Sequence, residues 1–238
     1  MSVETVHLLS RTALAQGTEA FHLQKPAGFA FRPGQALDII LPGGPEGDDG
    51  RHAFSIVSAP HENELVFATR MRDSAYKRAL AALAPGAALQ LDGPFGSLTL
   101  HKTIERPAVL IAGGIGITPF MSMLRDADAH PRGQQLLLLY SNRRPEDSAF
   151  LPELQALAAR NPQLRLLATM TDMAHSGQPW DGPTGQIDSA FITQALQGLA
   201  APIGYVSGPP GLVQAMRAQL QQAGVDEDDI RSEEFYGY

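Results

Sequence analysis

Hydrophobic positions change their rhythm part-way along this 238-residue chain, and the change divides it. As far as about residue 103 the apolar runs are short and broken by turn formers, as in QALDIILPGGPEGDDG, HAFSIVSAPHEN, ELVFATRMRD and AALQLDGPFGSLTL. Short runs separated by Gly and Pro predict antiparallel strands in a barrel or sandwich. One stretch, SAYKRALAALAPG, reads as a helix instead, with Ser74 as its N-cap and Gly86 just past its end. After HKTIERP the texture alters. AVLIA, QQLLLLY, QLRLLATM and PIGYVSG are near-continuous apolar runs, and longer amphipathic segments follow them, such as TPFMSMLRDA, SAFLPELQALAA and PGLVQAMRAQLQQAG. Strands apolar on both faces and alternating with helices predict a parallel α/β sheet. The textures meet at residues 102–107. The expected organisation is an antiparallel β-barrel domain over 1–103, then an α/β parallel-sheet nucleotide-binding domain over 104–238.

In an open parallel sheet, ligands bind beyond the carboxyl ends of the strands. Two glycine-rich joins stand at such ends, IAGGIGITPF (111–120) and SGPPG (207–211). Gly113, Gly114 and Gly116 remove side chains where a backbone turns tightly or meets a ligand closely. Thr118-Pro119 reads as a helix start, whose free N–H groups favour an anion such as phosphate. The spacing is not the G-x-G-x-x-G fingerprint, because Pro119 stands where the third glycine belongs. Each join alone is equally a structural turn; together they line the two sides of one crevice. The second strand of this half ends LLLLYSNRRPED, offering Ser141, Asn142, Arg143 and Arg144 where an NAD site usually carries an acid. Arginines there suit a 2'-phosphate and favour NADPH over NADH, with Glu146 and Asp147 close enough to make it an ordinary solvated loop instead.

Composition narrows the field. With 44% hydrophobic and 18% charged residues the chain has the make-up of a globular protein, and a net charge of -7 argues against nucleic acid as a partner. There is no cysteine, which excludes disulfides, thiolate zinc and a cysteine-ligated iron-sulfur cluster on this chain. The start of the chain lacks a signal-peptide pattern, and no window approaches 18 apolar residues, so a cytoplasmic protein without a membrane partner is expected. The seven histidines lack metal-ligand spacing, and no G-x-S-x-G elbow is present.

Five stretches in order across the two textures, FRPGQ, RHAFSIVS, GPFG, AGGIGITP and SGPPG, make the chain resemble the ferredoxin-NADP reductase family of flavin-dependent pyridine-nucleotide oxidoreductases over nearly its whole length. The resemblance implies an FAD-binding barrel and NADP, or NAD, on the second half. It implies hydride passing between NAD(P)H and FAD, with single electrons exchanged with a separate carrier such as ferredoxin or flavodoxin. The alternatives are a reductase component of an oxygenase system, a free-flavin or quinone reductase, and a non-catalytic flavin-binding regulatory subunit.

The family's barrel motif is Arg-x-Tyr-Ser/Thr, and here Arg51-His52-Ala53-Phe54-Ser55 stands in its place. The resemblance implies Phe54 against the isoalloxazine and Ser55 near its N5 edge. The family's pyrophosphate arginine aligns with His52, leaving that contact to Arg51 or His52. A second phosphate element falls on RMRDSAYKRAL, with Ser74 and the adjoining amides, and with Arg70, Arg72 and Lys77 close by. In the second half Gly113, Gly114, Gly116 and Thr118 would face the pyrophosphate and nicotinamide arm. Ser207, Gly208 and Pro209 take the place of a Cys-Gly-Pro-Pro segment beside the nicotinamide, with serine for cysteine. The chain ends RSEEFYGY, so Phe235, Tyr236 or Tyr238 would cover the flavin, and Glu234 of the acidic pair Glu233-Glu234 would be the nearby carboxylate. Ser55, Ser207, Glu234 and Phe235 are thereby expected nearest the hydride transfer. The competing reading of this end is an edge strand whose aromatics only pack the core.

Overall fold

The short apolar runs become strands β1 (Glu4–Ala15), β2 (Thr18–Gln24), β3 (Ala36–Ile40), β4 (Arg51–Ser55), β5 (Glu64–Arg70) and β6 (Ala88–Phe95) in a computed structural model that describes residues 3–44 and 50–236. They form one sheet in the order β4-β3-β6-β1-β2-β5, with every ladder antiparallel. The edge strands meet through one antiparallel bridge, Ile56 to Phe67, and through the Val57 N–H donating to the Val66 carbonyl at 2.7 Å. The sheet is therefore rolled like the expected barrel, but no full ladder closes it. Side chains alternate across its wall: in β6, Leu89 and Leu91 are buried while Ala88 and Gln90 are exposed. Inside, the Phe21 and Phe67 rings stack with centroids 5.0 Å apart.

Helix α1 (Ala75–Ala81) interrupts the strands where the helical period placed it, and the Ser74 side chain caps it by accepting from the Lys77 N–H at 3.2 Å. It ends at Ala82, short of Gly86, because Pro85 disfavours helical backbone at Ala84. Tyr76 fastens this helix to the barrel: it is fully buried, and its hydroxyl donates to the Ile39 carbonyl at 3.0 Å.

The long apolar runs of the second half become β7 (Ala108–Gly113), β8 (Leu136–Asn142), β9 (Leu164–Met170) and β10 (Ile203–Gly208), joined by β11 (Ile230–Glu234). All pair in parallel, in the order β11-β10-β7-β8-β9. Central β7 and β10 are buried at every position, as their unbroken apolar runs require. The amphipathic segments are α2 (Thr118–Ala129), α3 (Leu151–Arg160), α4 (Ser189–Ala195) and α5 (Pro210–Gln222). The chain after β7 goes to β8 on one side, while β10 lies on the other, so the strand order reverses between β7 and β10. That reversal opens a crevice beyond the carboxyl ends of these two strands.

The chain falls into two compact units, Met1–Thr99 with Thr118–Asp126, and Leu100–Ile117 with Ala127–Tyr238. Most of α2 thus groups with the barrel strands; the Ser122 hydroxyl donates to the Ser58 carbonyl at 2.7 Å, and Arg125 pairs with Glu62 at 3.4 Å. In the second unit the segment leading into β7 is tied down at His101, whose N–H donates to the Tyr205 hydroxyl at 2.8 Å. Arg106 grips both carboxylate oxygens of Asp229, at 3.0 and 2.5 Å. Among the described residues no helix is long and apolar enough to cross a membrane.

Tyr76→Phe keeps the ring and removes the hydroxyl that donates to the Ile39 carbonyl. Chemical denaturation is expected to show a loss of about 1–2 kcal/mol; an unchanged midpoint would mean that this bond does not hold α1 to the barrel.

Candidate functional site

Strand alternation sorts the RHAFS stretch. Arg51, Ala53 and Ser55 project from one side of β4, and His52 and Phe54 from the other. Arg51 donates to Asp38 at 2.8 Å and to Asp92 at 2.9 Å, carboxylates of the neighbouring strands β3 and β6. These bonds, led by the one to Asp92, raise the guanidinium pKa, and they compensate its charge within the sheet. His52 packs its ring 3.9 Å from that of Tyr76, centroid to centroid. Phe54, 4% exposed, is a member of the barrel core, packed 4.6 Å from the Phe67 ring. Ser55 is buried, and its hydroxyl makes no hydrogen bond within the described chain.

Lys77 stands out beside them. Its ammonium donates to the Thr69 hydroxyl, lies 4.6 Å above the Phe54 ring, and is 5.9 Å from the Tyr76 ring. Among the described residues no carboxylate pairs with it, and burial alone lowers its pKa to about 8. Ser74 and Arg72 are exposed at the start of the same helix, where Ser74 already serves as the cap. Tyr238 lies outside the described residues.

In the second unit the GGIGITP join takes shape from its glycines. Gly113 ends β7, and Gly114 opens a single 3-10 turn, Gly114–Ile117, with φ 55, a left-handed value natural to glycine. A β-carbon on Gly116 would overlap the carbonyl oxygen of Ser207 and come within 2.8 Å of the Gly208 α-carbon. The two glycine-rich joins therefore touch backbone to backbone at the crevice between β7 and β10. Thr118, buried, begins α2 with Pro119 in its first turn, a place that needs no proline N–H. Gly208 ends β10 and Pro209 precedes α5.

Several buried polar groups around the ends of these strands lack partners. Ser207 is fully buried with an unbonded hydroxyl, and neither amide atom of Asn142, at the end of β8, is bonded. Glu233 is the register neighbour of Ser207 on β11; its Oε2 is buried and unpartnered, and burial raises its carboxyl to about 7. Glu234 is exposed and accepts from the Tyr236 hydroxyl. The inward member of the acidic pair is thus Glu233, which the sequence reading passed over, although period-2 alternation distinguishes the two once β11 is known. Phe235 is partly buried and donates its N–H to the Gly208 carbonyl at 2.9 Å, whereas Tyr236 is 75% exposed. Ser141, Arg143 and Arg144 follow one another at the end of β8; both arginines are ion-paired, Arg143 to Asp172 at 2.7 Å and Arg144 to Asp147 at 2.8 Å.

Buried polar atoms in folded proteins nearly always have partners, so orphans at strand ends mark where a ligand fits. On the barrel unit an unpaired cation and an unbonded hydroxyl suit an aromatic, anionic nucleotide such as FAD. On the sheet unit the bare backbone of the glycine joins, with Ser207 and Asn142, suits a pyridine nucleotide.

Comparison with known proteins agrees with that fit. Residues 110–218 match the family described as an oxidoreductase NAD-binding domain. Ferredoxin-NADP reductase B of Sorangium cellulosum (strain So ce56) is 29% identical over 216 residues, 87% of this chain and 86% of that protein. The chain is similar to that reductase over most of the length of both proteins. It is an oxidoreductase of the NAD(P)-dependent type. Terephthalate 1,2-dioxygenase reductase component 2 of a Comamonas species is 27% identical over 236 residues, 97% of this chain and 68% of that protein. In fold, the chain resembles a ferredoxin NADP+ reductase from Neisseria gonorrhoeae with bound FAD and NADP, with a TM-score of 0.81, 22% identity and 98% of each chain covered.

The two shifted groups give opposite pH signatures in the ligand-free protein. Lys77 has its pKa lowered from 10.5 to about 8, so the unfolded chain binds more protons between those values and stability rises with pH across them. Glu233 has its pKa raised from 4.5 to about 7, so the folded chain binds more protons there and stability falls as pH rises through that window. Lys77→Met is expected to stabilise by on the order of 1–3 kcal/mol at neutral pH, and Glu233→Gln by a similar amount above the upper end of its window. Denaturation across pH checks both; variants with the wild-type slopes would refute the assignments.

Proposed function

We propose that the chain passes hydride between NAD(P)H and FAD and exchanges single electrons with a separate carrier of the ferredoxin or flavodoxin kind. The observation that carries this reading is a set of polar groups left uncompensated on both units: on the barrel the half-buried Lys77 ammonium, which has no carboxylate partner among the described residues, and the unbonded Ser55 hydroxyl, and on the sheet Asn142, Ser207 and Glu233. Bound FAD supplies the ability to take electrons in pairs and release them singly. The chain's own residues bind and orient. Lys77, with Arg72 and Ser74 at the start of α1, holds the diphosphate charge, and His52 offers a ring nitrogen in place of the family arginine. Arg51, already held by Asp38 and Asp92, keeps to the sheet. Ser55 would offer its unbonded hydroxyl to the flavin.

On the second unit, Gly113, Gly114 and Gly116 would admit the pyrophosphate to the backbone, and Thr118 begins the helix that follows them in the chain. Ser207, Gly208 and Pro209 set the nicotinamide, which needs orientation rather than a nucleophile. Glu233, raised to about 7 by burial, is partly protonated near neutral pH, and Phe235, anchored through Gly208, would shield the ring. A cytoplasmic setting, with a pyridine-nucleotide pool at hand, belongs to the same proposal. The second reading, a reductase component of an oxygenase system, is favoured by the likeness to the Comamonas protein over 97% of this chain.

Purified protein supplemented with FAD is expected to show flavin absorbance that bleaches on anaerobic mixing with NADPH or NADH. A preparation that stays colourless would sink the proposal, and one that is coloured but never bleaches would point to a regulatory flavin subunit. Transfer to ferredoxin is expected to slow as salt is raised. Lys77→Met is expected to weaken FAD binding about tenfold or more while riboflavin, which has no diphosphate, binds as before. Equal losses for both flavins would remove Lys77 from the diphosphate.

A further inference from the structure

Beyond β8 and β9 two loops run side by side in the second unit, stitched by the Thr171 N–H on the Asn142 carbonyl at 2.9 Å and the Asp172 N–H on the Arg143 carbonyl at 2.8 Å. The arginines that the sequence offered to a 2'-phosphate lie in this pair of loops, and they are used differently. Arg144 donates to both oxygens of Asp147, at 2.8 and 2.9 Å, and to the His175 carbonyl at 3.2 Å, with Glu146 at 3.7 Å. Glu146 in turn accepts from the Gly177 N–H at 3.0 Å and the Ser176 hydroxyl at 2.9 Å. Arg144 and Glu146 therefore pin one loop to the other.

Arg143 is more available. Its side chain is 69% exposed, and its Nη2 donates to Asp172 at 2.7 Å. Asp172 is the less exposed partner, at 20%, and its second oxygen meets the His175 Nδ1 at 2.6 Å. The bonds from His175 and then Arg143 hold the Asp172 carboxyl below its usual range, so it is charged at neutral pH. Two guanidiniums thus face three carboxylates, Glu146, Asp147 and Asp172.

We infer that Asp172 sets the coenzyme choice, by holding the Arg143 guanidinium through Nη2 and placing a carboxylate where a 2'-phosphate would meet it. The inference rests on the proposed NAD(P)H site and assigns this chain's discrimination to a residue of the third strand's loop. A 2'-phosphate entering here must take Arg143 from a carboxylate and then lie beside that carboxylate as a second anion. A ribose 2'-hydroxyl meets neither obstacle and can donate to the same oxygen. The arginine pair therefore does not make the chain strict for NADPH; Asp172 makes it accept NADH as readily.

Adenosine 2',5'-bisphosphate and AMP, titrated calorimetrically into the holoprotein, separate the phosphate's contribution from that of the rest of the nucleotide. The wild type is expected to bind the two within about tenfold of each other, and Asp172→Asn to shift the ratio toward the bisphosphate by about tenfold or more. The NADPH to NADH ratio of kcat/KM should move in parallel, through KM, and the shift should shrink with added salt and disappear when Arg143→Ala is combined with Asp172→Asn. A ratio unmoved in Asp172→Asn would overturn the inference while leaving the coenzyme site standing. Should Asp172→Asn loosen the loops, as melting would show, Arg143→Ala in the wild-type background decides: a loss of bisphosphate affinity of about a hundredfold would mean that Asp172 was no competitor. A wild type that binds neither nucleotide would refute the site and the inference together.

Discussion

The nucleotide end of the second unit depends on the close approach of the Gly116 backbone to the Ser207 carbonyl. Neighbouring parallel strands lie only about 4.8 Å apart, so loops leaving β7 and β10 at adjacent ends compete for the same space. Only a residue without a β-carbon lets the 3-10 turn Gly114–Ile117 lie on the end of β10. Ser207 lies at that contact, fully buried and with an unbonded hydroxyl. The register of β10 with β11 sets Glu233 beside Ser207, and the Gly208 carbonyl holds the chain at Phe235 by accepting its N–H.

How much of this the sequence discloses depends on the range of the interaction concerned. The change of hydrophobic period, the Ser74 cap and the glycine joins are local, since each is a property of a few consecutive residues, and each is present where the pattern places it. The barrel's failure to close by a full ladder is not local: it depends on how far β4 and β5 are carried round by the twist of four intervening strands. The partners of Arg51 are likewise hidden, because Asp38 and Asp92 reach it only through the register of two ladders. Glu233 and Glu234 are indistinguishable as letters. One becomes a buried acid and the other a surface one only when β11 is added in a definite register to β10. Asp172 is 29 residues from Arg143, and nothing in a linear reading of SNRRPED announces it.

Charge pairing divides the chain's cations into two kinds. Arg51, Arg106 and Arg144 each have carboxylates within hydrogen-bond reach, and all three hold strands or loops together. Lys77 has none among the described residues, although the chain as a whole carries seven more acidic than basic groups. A surplus of acids makes an unpaired, partly buried lysine harder to account for as chance packing, since a single Asp or Glu at a neighbouring strand position would compensate it. The same reasoning applies with opposite sign to Glu233, which burial keeps partly protonated near neutral pH in a unit that has several arginines elsewhere.

Such groups lower the stability of the ligand-free protein, and their persistence is understandable if the folded state is normally a bound one. A ligand present at about a hundred times its dissociation constant stabilises the state that binds it by about 2.7 kcal/mol. That matches the order of magnitude, about 1–3 kcal/mol, expected for an unpaired buried charge with a pKa shift of this size. The polar groups that weaken the empty chain are therefore the ones through which a cofactor can return the loss. Replacing them with well-packed apolar residues would raise stability and remove that coupling. On this argument the orphaned side chains of the two units are one design constraint met twice: each unit is left incomplete at the surface proposed to hold a nucleotide.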